Sequence, residues 1–160
     1  MPWQRDDSDG DSSGGTPMGE AIVDTSVIID FLRGRVEAKK LLENLQAANE
    51  LATHTVVVAE TLSGARDLRD QREIERFFRR FRVHAISAAD ADVSLDLLRQ
   101  YRLSRGVGFL DCLIAATCLR LGLPVITLND KHFAAFDGLT AHRPYRPAKA
   151  QRGMRSPKRE

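Results

Sequence analysis

With 160 residues and 42% hydrophobic content, the chain is long enough to close one sizeable core and too short for two ordinary domains. The formal net charge of +2 hides an uneven distribution, since residues 1–20 carry one Arg against five acids while residues 143–160 carry seven bases against one acid. Both ends are polar or rich in Ser, Gly and Pro, so the expectation is a disordered acidic extension at 1–20, a folded unit at 21–143 and a disordered basic tail at 144–160. The first twenty residues contain no apolar h-region, and no later stretch approaches the roughly 18 apolar residues of a membrane span. The two cysteines, Cys112 and Cys118, lie six apart in one helical pattern and leave it on different faces, so they cannot bridge each other. A cytoplasmic protein without disulfides is the expected class.

Residues 21–29 are apolar and β-branched and read as a buried strand, interrupted by Asp24 where the chain would emerge from a sheet. Leu41, Leu42 and Leu45 recur at helical spacing in 36–47, which predicts a surface helix returning over that sheet. Residues 51–53 read as a second strand. Thr55 reads as an N-cap and 56–68 as a helix carrying Glu60 in its first turns. A further helix over 72–81 bears Ile74, Phe77, Phe78 and Phe81 as a core or dimer-contact patch. Residues 83–86 read as a third strand, Ser87 as a cap, and 88–103 as an amphipathic helix with Asp90, Asp92 and Asp96 on its exposed side or first turn. After the turn-rich 104–108 comes an apolar helix at 109–121, stopped by Gly122 with Pro124 beyond. Residues 125–128 form a fourth strand, 129–136 a loop with one helical turn, and 140–143 an edge strand. Strands separated by helical crossovers imply a three-layer α/β/α, Rossmann-like fold with a mostly parallel sheet of four to five strands.

In such a sheet, ligands bind outside the carboxyl ends of the strands, which selects four acids. Asp24 ends the first strand, Glu60 follows the second, Asp111 opens the helix before the fourth, and Asp130 lies just after it. Each alone reads as an Asx-turn or a first-turn acid favoured by the helix dipole. Together, the first three are isolated carboxylates among Val, Ile, Leu and Ala, with no Lys or Arg interrupting those runs, and are expensive to bury without a partner cation. An all-oxygen set suits Mg²⁺ or Mn²⁺ and not zinc. A phosphatase beginning with the same strand-end Asp needs a second Asp two residues later, where this chain has Ser26. A dinucleotide-binding enzyme lacks its glycine fingerprint here.

Three stretches, IVDTSVIIDFL at 22–32, VVVAETLSG at 56–64 and GFLDCLIAATCLRLGLPVITLNDKHF at 108–133, resemble a PIN-domain protein of the VapC toxin type. The resemblance covers nearly all of 21–143 and implies a PIN-like fold. By it, Asp24, Glu60 and Asp111 fall on the acidic metal positions, Thr25 and Ser26 on the hydroxyls after the first Asp, and Thr127 on the threonine that opens the last motif. The fourth position is open between Asn129, Asp130 and His132, with Asp130 taken as a second-rank ligand or one acting through water. The resemblance further implies a Mg²⁺- or Mn²⁺-dependent endoribonuclease leaving 5′-phosphate and 3′-hydroxyl ends, an antitoxin protein as partner, and a homodimer. The competing reading is an inactive PIN fold that binds RNA or serves as a scaffold.

An acidic pocket repels RNA, so positive charge is expected around it, and Arg33, Arg35, Arg66, Arg69, Arg105, Lys131 and His132 are the candidates, each with solvated surface charge as the alternative. The basic tail reads as a solvated end, with a phosphate clamp as its second reading. Arg76, Arg79, Arg80 and Arg82 form a separate run, read as a solvated helix face or a partner surface. Cys112, beside Asp111, reads as a small buried residue.

Overall fold

A computed structural model describes residues 19–148. Most of the two charged ends expected to be disordered lies outside these described residues. Within them, five strands form a single sheet: β1 (Ala21–Val23), β2 (Leu51–His54), β3 (Arg82–His84), β4 (Val125–Ile126) and β5 (Ala141–His142). The order is β3-β2-β1-β4-β5 and every neighbouring pair is parallel, so the mostly parallel expectation resolves to an all-parallel sheet. Among the described residues, no helix is long and apolar enough to cross a membrane.

β1 lies at the centre. Its three residues, Ala21, Ile22 and Val23, are fully buried with no alternation, the pattern of a strand covered on both faces. Seven helices connect and flank the strands: α1 (Thr25–Leu32), α2 (Val36–Ala47), α3 (Thr55–Ser63), α4 (Leu68–Phe78), α5 (Ala88–Arg105), α6 (Phe109–Leu121) and α7 (Asp130–Phe133). α2 and α6 match the sequence reading residue for residue. The seven consecutive buried residues Cys112–Cys118 make α6 a core helix, and Gly122 ends it in the left-handed conformation (φ 66°).

Three differences from the sequence reading matter to the site. The apolar run 21–29 is not one strand, because the chain turns at Asp24 (φ −79°, ψ 161°) and α1 begins at the next residue. The Val27 and Ile28 amides bond the Asp24 carbonyl, which fixes that turn. The helix expected over 56–68 stops at Ser63, and α4 starts four residues earlier than expected. Asp67 causes this by accepting from the Asp70 amide at 2.8 Å and capping a new helix. Thr55 is not the cap of α3. His54 takes that place, its Nδ1 accepting from the Val56 amide at 3.1 Å, while Thr55 Oγ1 donates to the His84 carbonyl of β3.

Asp90 also departs from the expectation of an exposed helix acid, being 1% exposed. It completes a capping box with Ser87 and takes a two-pronged Arg120 guanidinium at 2.7 and 2.8 Å. The same carboxylate accepts from Thr117 Oγ1, and Thr117 faces His54 Nε2 at 2.9 Å. A buried polar chain thus ties α5 and α6 to β2. At the other edge, Tyr145 packs against the core, its hydroxyl donating to Asp30 and Arg35 lying over its ring.

Candidate active site

The carboxyl ends of β1 and β4 lie side by side, with Val23 paired to Ile126. The residues that follow them, Asp24 and Thr127, therefore meet: Thr127 Oγ1 donates to Asp24 Oδ2 at 2.7 Å. Ser26 Oγ donates to the same oxygen at 3.2 Å and accepts from the Leu128 amide at 3.0 Å. The Asn129 amide donates to Thr127 Oγ1 at 3.0 Å. These bonds clamp the loop after β4 onto the loop after β1. Although Asp24 stands at the N-cap of α1, its side chain makes no capping bond. It is spent on the clamp instead.

Asp24 is buried, and among the described residues no Lys, Arg or His pairs with it. Burial raises its pKa above the ordinary carboxylate value, hydrogen bonds from Thr127, Thr25 and Ser26 oppose the rise, and the nearby negative charge of Asp111 adds to it. Asp111, in the first turn of α6, is half-buried and reaches back to the Gly108 amide at 3.5 Å. Glu60, in the second turn of α3, is exposed and accepts from Thr25 Oγ1 at 2.6 Å, one residue from Asp24.

The structure thus brings Asp24 and Asp111 into electrostatic contact and ties Glu60 to them through Thr25. It does not bring Asp130 to the group: that carboxylate is paired with Arg143, one residue beyond β5. Of the three candidates for the fourth position, His132 is the one in contact with a leading acid, its Nδ1 lying 3.5 Å from Asp111 Oδ2. Asn129 contributes its backbone amide to Thr127.

A divalent cation can be tested against this donor set. A buried carboxylate with no base paired to it among the described residues and a second carboxylate beside it is a locus of negative potential, and the nearby side-chain donors are oxygens apart from His132 Nδ1 beside Asp111. That chemistry fits a hard cation. The set is not closed, since among the described residues no three His, Cys, Asp or Glu side chains are grouped so as to hold a metal ion. Glu60 stands apart from the two aspartates, held by Thr25.

A groove of 490 Å³ lies alongside, its walls including Ile29, Leu32, Arg33, Glu60, Arg66 and Ile74. Of the bases expected near the site, Arg33 and Arg66 line this groove, while Arg35 is engaged by Asp30 and Glu37. Arg143 was missed as the partner of Asp130, because sequence spacing gives no sign that β5 ends beside α7. The Asp90 network was missed too, although the Ser87-x-x-Asp90 spacing is a capping-box signal. Cys112 is buried as expected, its thiol pushed up to about 11 by burial and by Asp111.

Comparison with known proteins identifies the family and the fold. The PIN domain family profile matches residues 21–139. "Ribonuclease VapC10" of Mycobacterium tuberculosis is 37% identical over 119 residues, covering 74% of this chain and 89% of the relative. "Ribonuclease VapC19" of the same species is 33% identical over 120 residues, covering 74% and 95%. Among solved structures, a chain of a toxin-antitoxin complex from Klebsiella pneumoniae superposes with a TM-score of 0.64 at 29% identity, covering 80% of this chain and all of that one. A chain of DNA-bound VapBC from Salmonella typhimurium, at 21% identity over 78% of this chain and 98% of its own, shares the fold with a TM-score of 0.65. The chain belongs to the PIN domain family and, within it, to the VapC type.

Proposed function

We propose that this protein is a Mg²⁺- or Mn²⁺-dependent endoribonuclease and the toxin of a toxin-antitoxin pair. The ribonuclease names of relatives up to 37% identical support the activity class. The observation that carries the chemistry is Asp24, a carboxylate buried at the end of the central strand beside Asp111 with no cationic side chain paired to it among the described residues. A bound divalent cation would supply activation of water and neutralisation of charge on the phosphoryl oxygens.

The chain's own residues then have distinct tasks. Asp24 and Asp111 would hold the ion, and Thr127 and Ser26 hold Asp24 in place by hydrogen bonds. Glu60, on the exposed side, would take a second ion or orient the attacking water once released from Thr25. Asp130 or His132 would complete the set, Asp130 only after leaving Arg143. Attack by water, with the 3′-oxygen as leaving group, gives a 5′-phosphate and a 3′-hydroxyl. The partner is an antitoxin protein that covers the acidic groove, in line with the toxin-antitoxin complex among the similar structures. The working form is a cytoplasmic homodimer.

The test is to incubate antitoxin-free protein with total RNA and Mg²⁺ or Mn²⁺, beside an EDTA control and an Asp24→Asn variant, and to map the ends. Discrete cuts that need both metal and Asp24 and carry 5′-phosphates are expected. Ends bearing a 2′,3′-cyclic phosphate would sink the water mechanism, because they require attack by the ribose hydroxyl. Absence of both cleavage and metal binding would overturn the nuclease reading and leave an inactive PIN fold that binds RNA or serves as a scaffold.

A further inference from the structure

The exposed face of α4 carries four arginines, Arg69, Arg72, Arg76 and Arg79, at spacings of three, four and three. At 3.6 residues per turn these spacings put all four within about 80° of arc, rising about 15 Å along the axis. The opposite face of the helix is committed to the core through Ile74 and Phe78. The stripe is therefore fixed in direction by packing behind it, and Arg79 continues it with helical backbone angles.

Three of its four charges have no acid partner among the described residues. Among the described residues Arg72, Arg76 and Arg79 make no ion pair or hydrogen bond, whereas Arg66 and Arg82 are each held by an acid and Arg80 lies over the Phe77 ring. Of the acids on α4, Asp70 holds Arg66 and Glu73 holds Arg69, while Glu75 accepts from the neutral Gln71 amide and keeps its charge on the helix. Three of the four guanidinium groups are exposed without an acid partner, so an anion can settle along the row without breaking an ion pair at those positions. Steps of about 4.5–6 Å between successive arginines suit the evenly repeated charge of a nucleic-acid backbone. Guanidinium forks suit its phosphate oxygens.

The stripe also leads to the acids. One cavity of 480 Å³ is lined by Leu68, Arg69, Arg72, Glu73 and Arg76. The 490 Å³ groove that contains Glu60 and Arg33 shares Glu73 with it. We propose that Arg69, Arg72, Arg76 and Arg79 form a phosphate track that holds single-stranded RNA flanking the bond to be cut and feeds it past Glu73 toward Glu60. The choice of ligand rests on the ribonuclease reading. The track itself is a binding surface outside the acidic set.

The experiment is fluorescence anisotropy of a short labelled polyuridylate strand with the full chain in EDTA, measured over a series of KCl concentrations. It compares the wild type with Arg72→Gln/Arg76→Gln/Arg79→Gln and with a control of the same charge loss elsewhere, Lys39→Gln/Lys40→Gln/Arg99→Gln. All three arginines are exposed, so circular dichroism and thermal midpoints should be unchanged. Loss of three phosphate contacts lowers the slope of log Kd against log salt by about 2, with binding weakened tenfold or more at low salt and the control close to wild type. An unchanged slope in the stripe variant, an equal loss in the control, or no binding by the wild type overturns the track. Because the assay contains no divalent cation, a protein that cuts RNA with an unchanged slope refutes the track alone. One that binds through the stripe but cuts nothing refutes the nuclease alone.

Discussion

Thr127 Oγ1 donates to Asp24 Oδ2 at 2.7 Å across 103 residues of sequence, joining the ends of two adjacent parallel strands at the carboxylate on which the site is built. Thr127 is itself fully buried and also accepts from the Asn129 amide. Replacing it with the near-isosteric Val removes a donor from a buried charge and an acceptor from a backbone amide. Thr127→Val should lower stability by roughly 1–3 kcal/mol in urea unfolding, and reduce cleavage about 10- to 100-fold because the ligand's orienting partner is gone. Full activity in this variant would show that the clamp is dispensable.

Asp24 should behave as a destabilising charge when no cation is present. Its folded-state pKa is raised, so its favourable contribution exists below 3.8 and is lost as pH rises through the folded value. At neutral pH and in EDTA, Asp24→Asn should therefore raise the thermal midpoint while abolishing cleavage. Mg²⁺ at a hundred times its Kd should stabilise the wild type by about 2.7 kcal/mol and leave the variant unmoved. A lower midpoint for Asp24→Asn in EDTA would contradict the reading of a carboxylate waiting for a cation.

His54 predicts a pH dependence of the opposite sign. It is fully buried, accepts from the Val56 amide through Nδ1 and so keeps its proton on Nε2, facing Thr117. Burial pushes its pKa down from 6.5 to about 4, with Asp90 opposing and His84 and Arg120 contributing to the fall. Between these values the unfolded chain takes up a proton that the folded protein refuses, so stability falls as pH drops from 6.5 to 4. The His54 contribution is about 3 kcal/mol. His142, also depressed by burial, adds in the same direction. Urea midpoints at neutral pH and near pH 4 should converge in His54→Gln relative to wild type; an equally steep loss in the variant would assign the effect elsewhere.

The Arg120–Asp90 pair is buried on one side only, with the carboxylate 1% and the guanidinium 40% exposed. Removing the base leaves Asp90 as a buried charge facing Thr117. Arg120→Ala should cost about 3 kcal/mol, and Arg120→Lys should recover only part of it, since one ammonium cannot replace the two parallel bonds. A thermal scan distinguishes the three proteins.

Much of this molecule is written in local pattern. The leucine spacing of α2, the continuous apolar run of α6 and its Gly122 stop gave both helices to the residue, because each depends on periodicity and a terminal signal within a dozen neighbours. The same logic placed Asp24, Glu60 and Asp111 at the carboxyl end of a parallel sheet. What local pattern could not decide was where a β-branched run stops being strand. Val27 and Ile28 would suit either state, and helix α1 starts where the chain turns at Asp24, whose side chain is held by Thr127, just past β4 and more than a hundred residues away.

Side-chain partnership across the sheet was likewise a tertiary decision. The sequence marked Asp90 as one more acid on an amphipathic helix, yet α6 places Thr117 and Arg120 against it and buries it. It offered Asp130 as a fourth ligand, while the parallel pairing of β4 with β5 delivers Arg143 to that carboxylate and leaves His132 beside Asp111. Charge type and spacing are properties of the chain. Which charge finds which partner depends on strand order and register, since electrostatic pairing acts over a few ångströms and only the folded sheet brings those residues within reach.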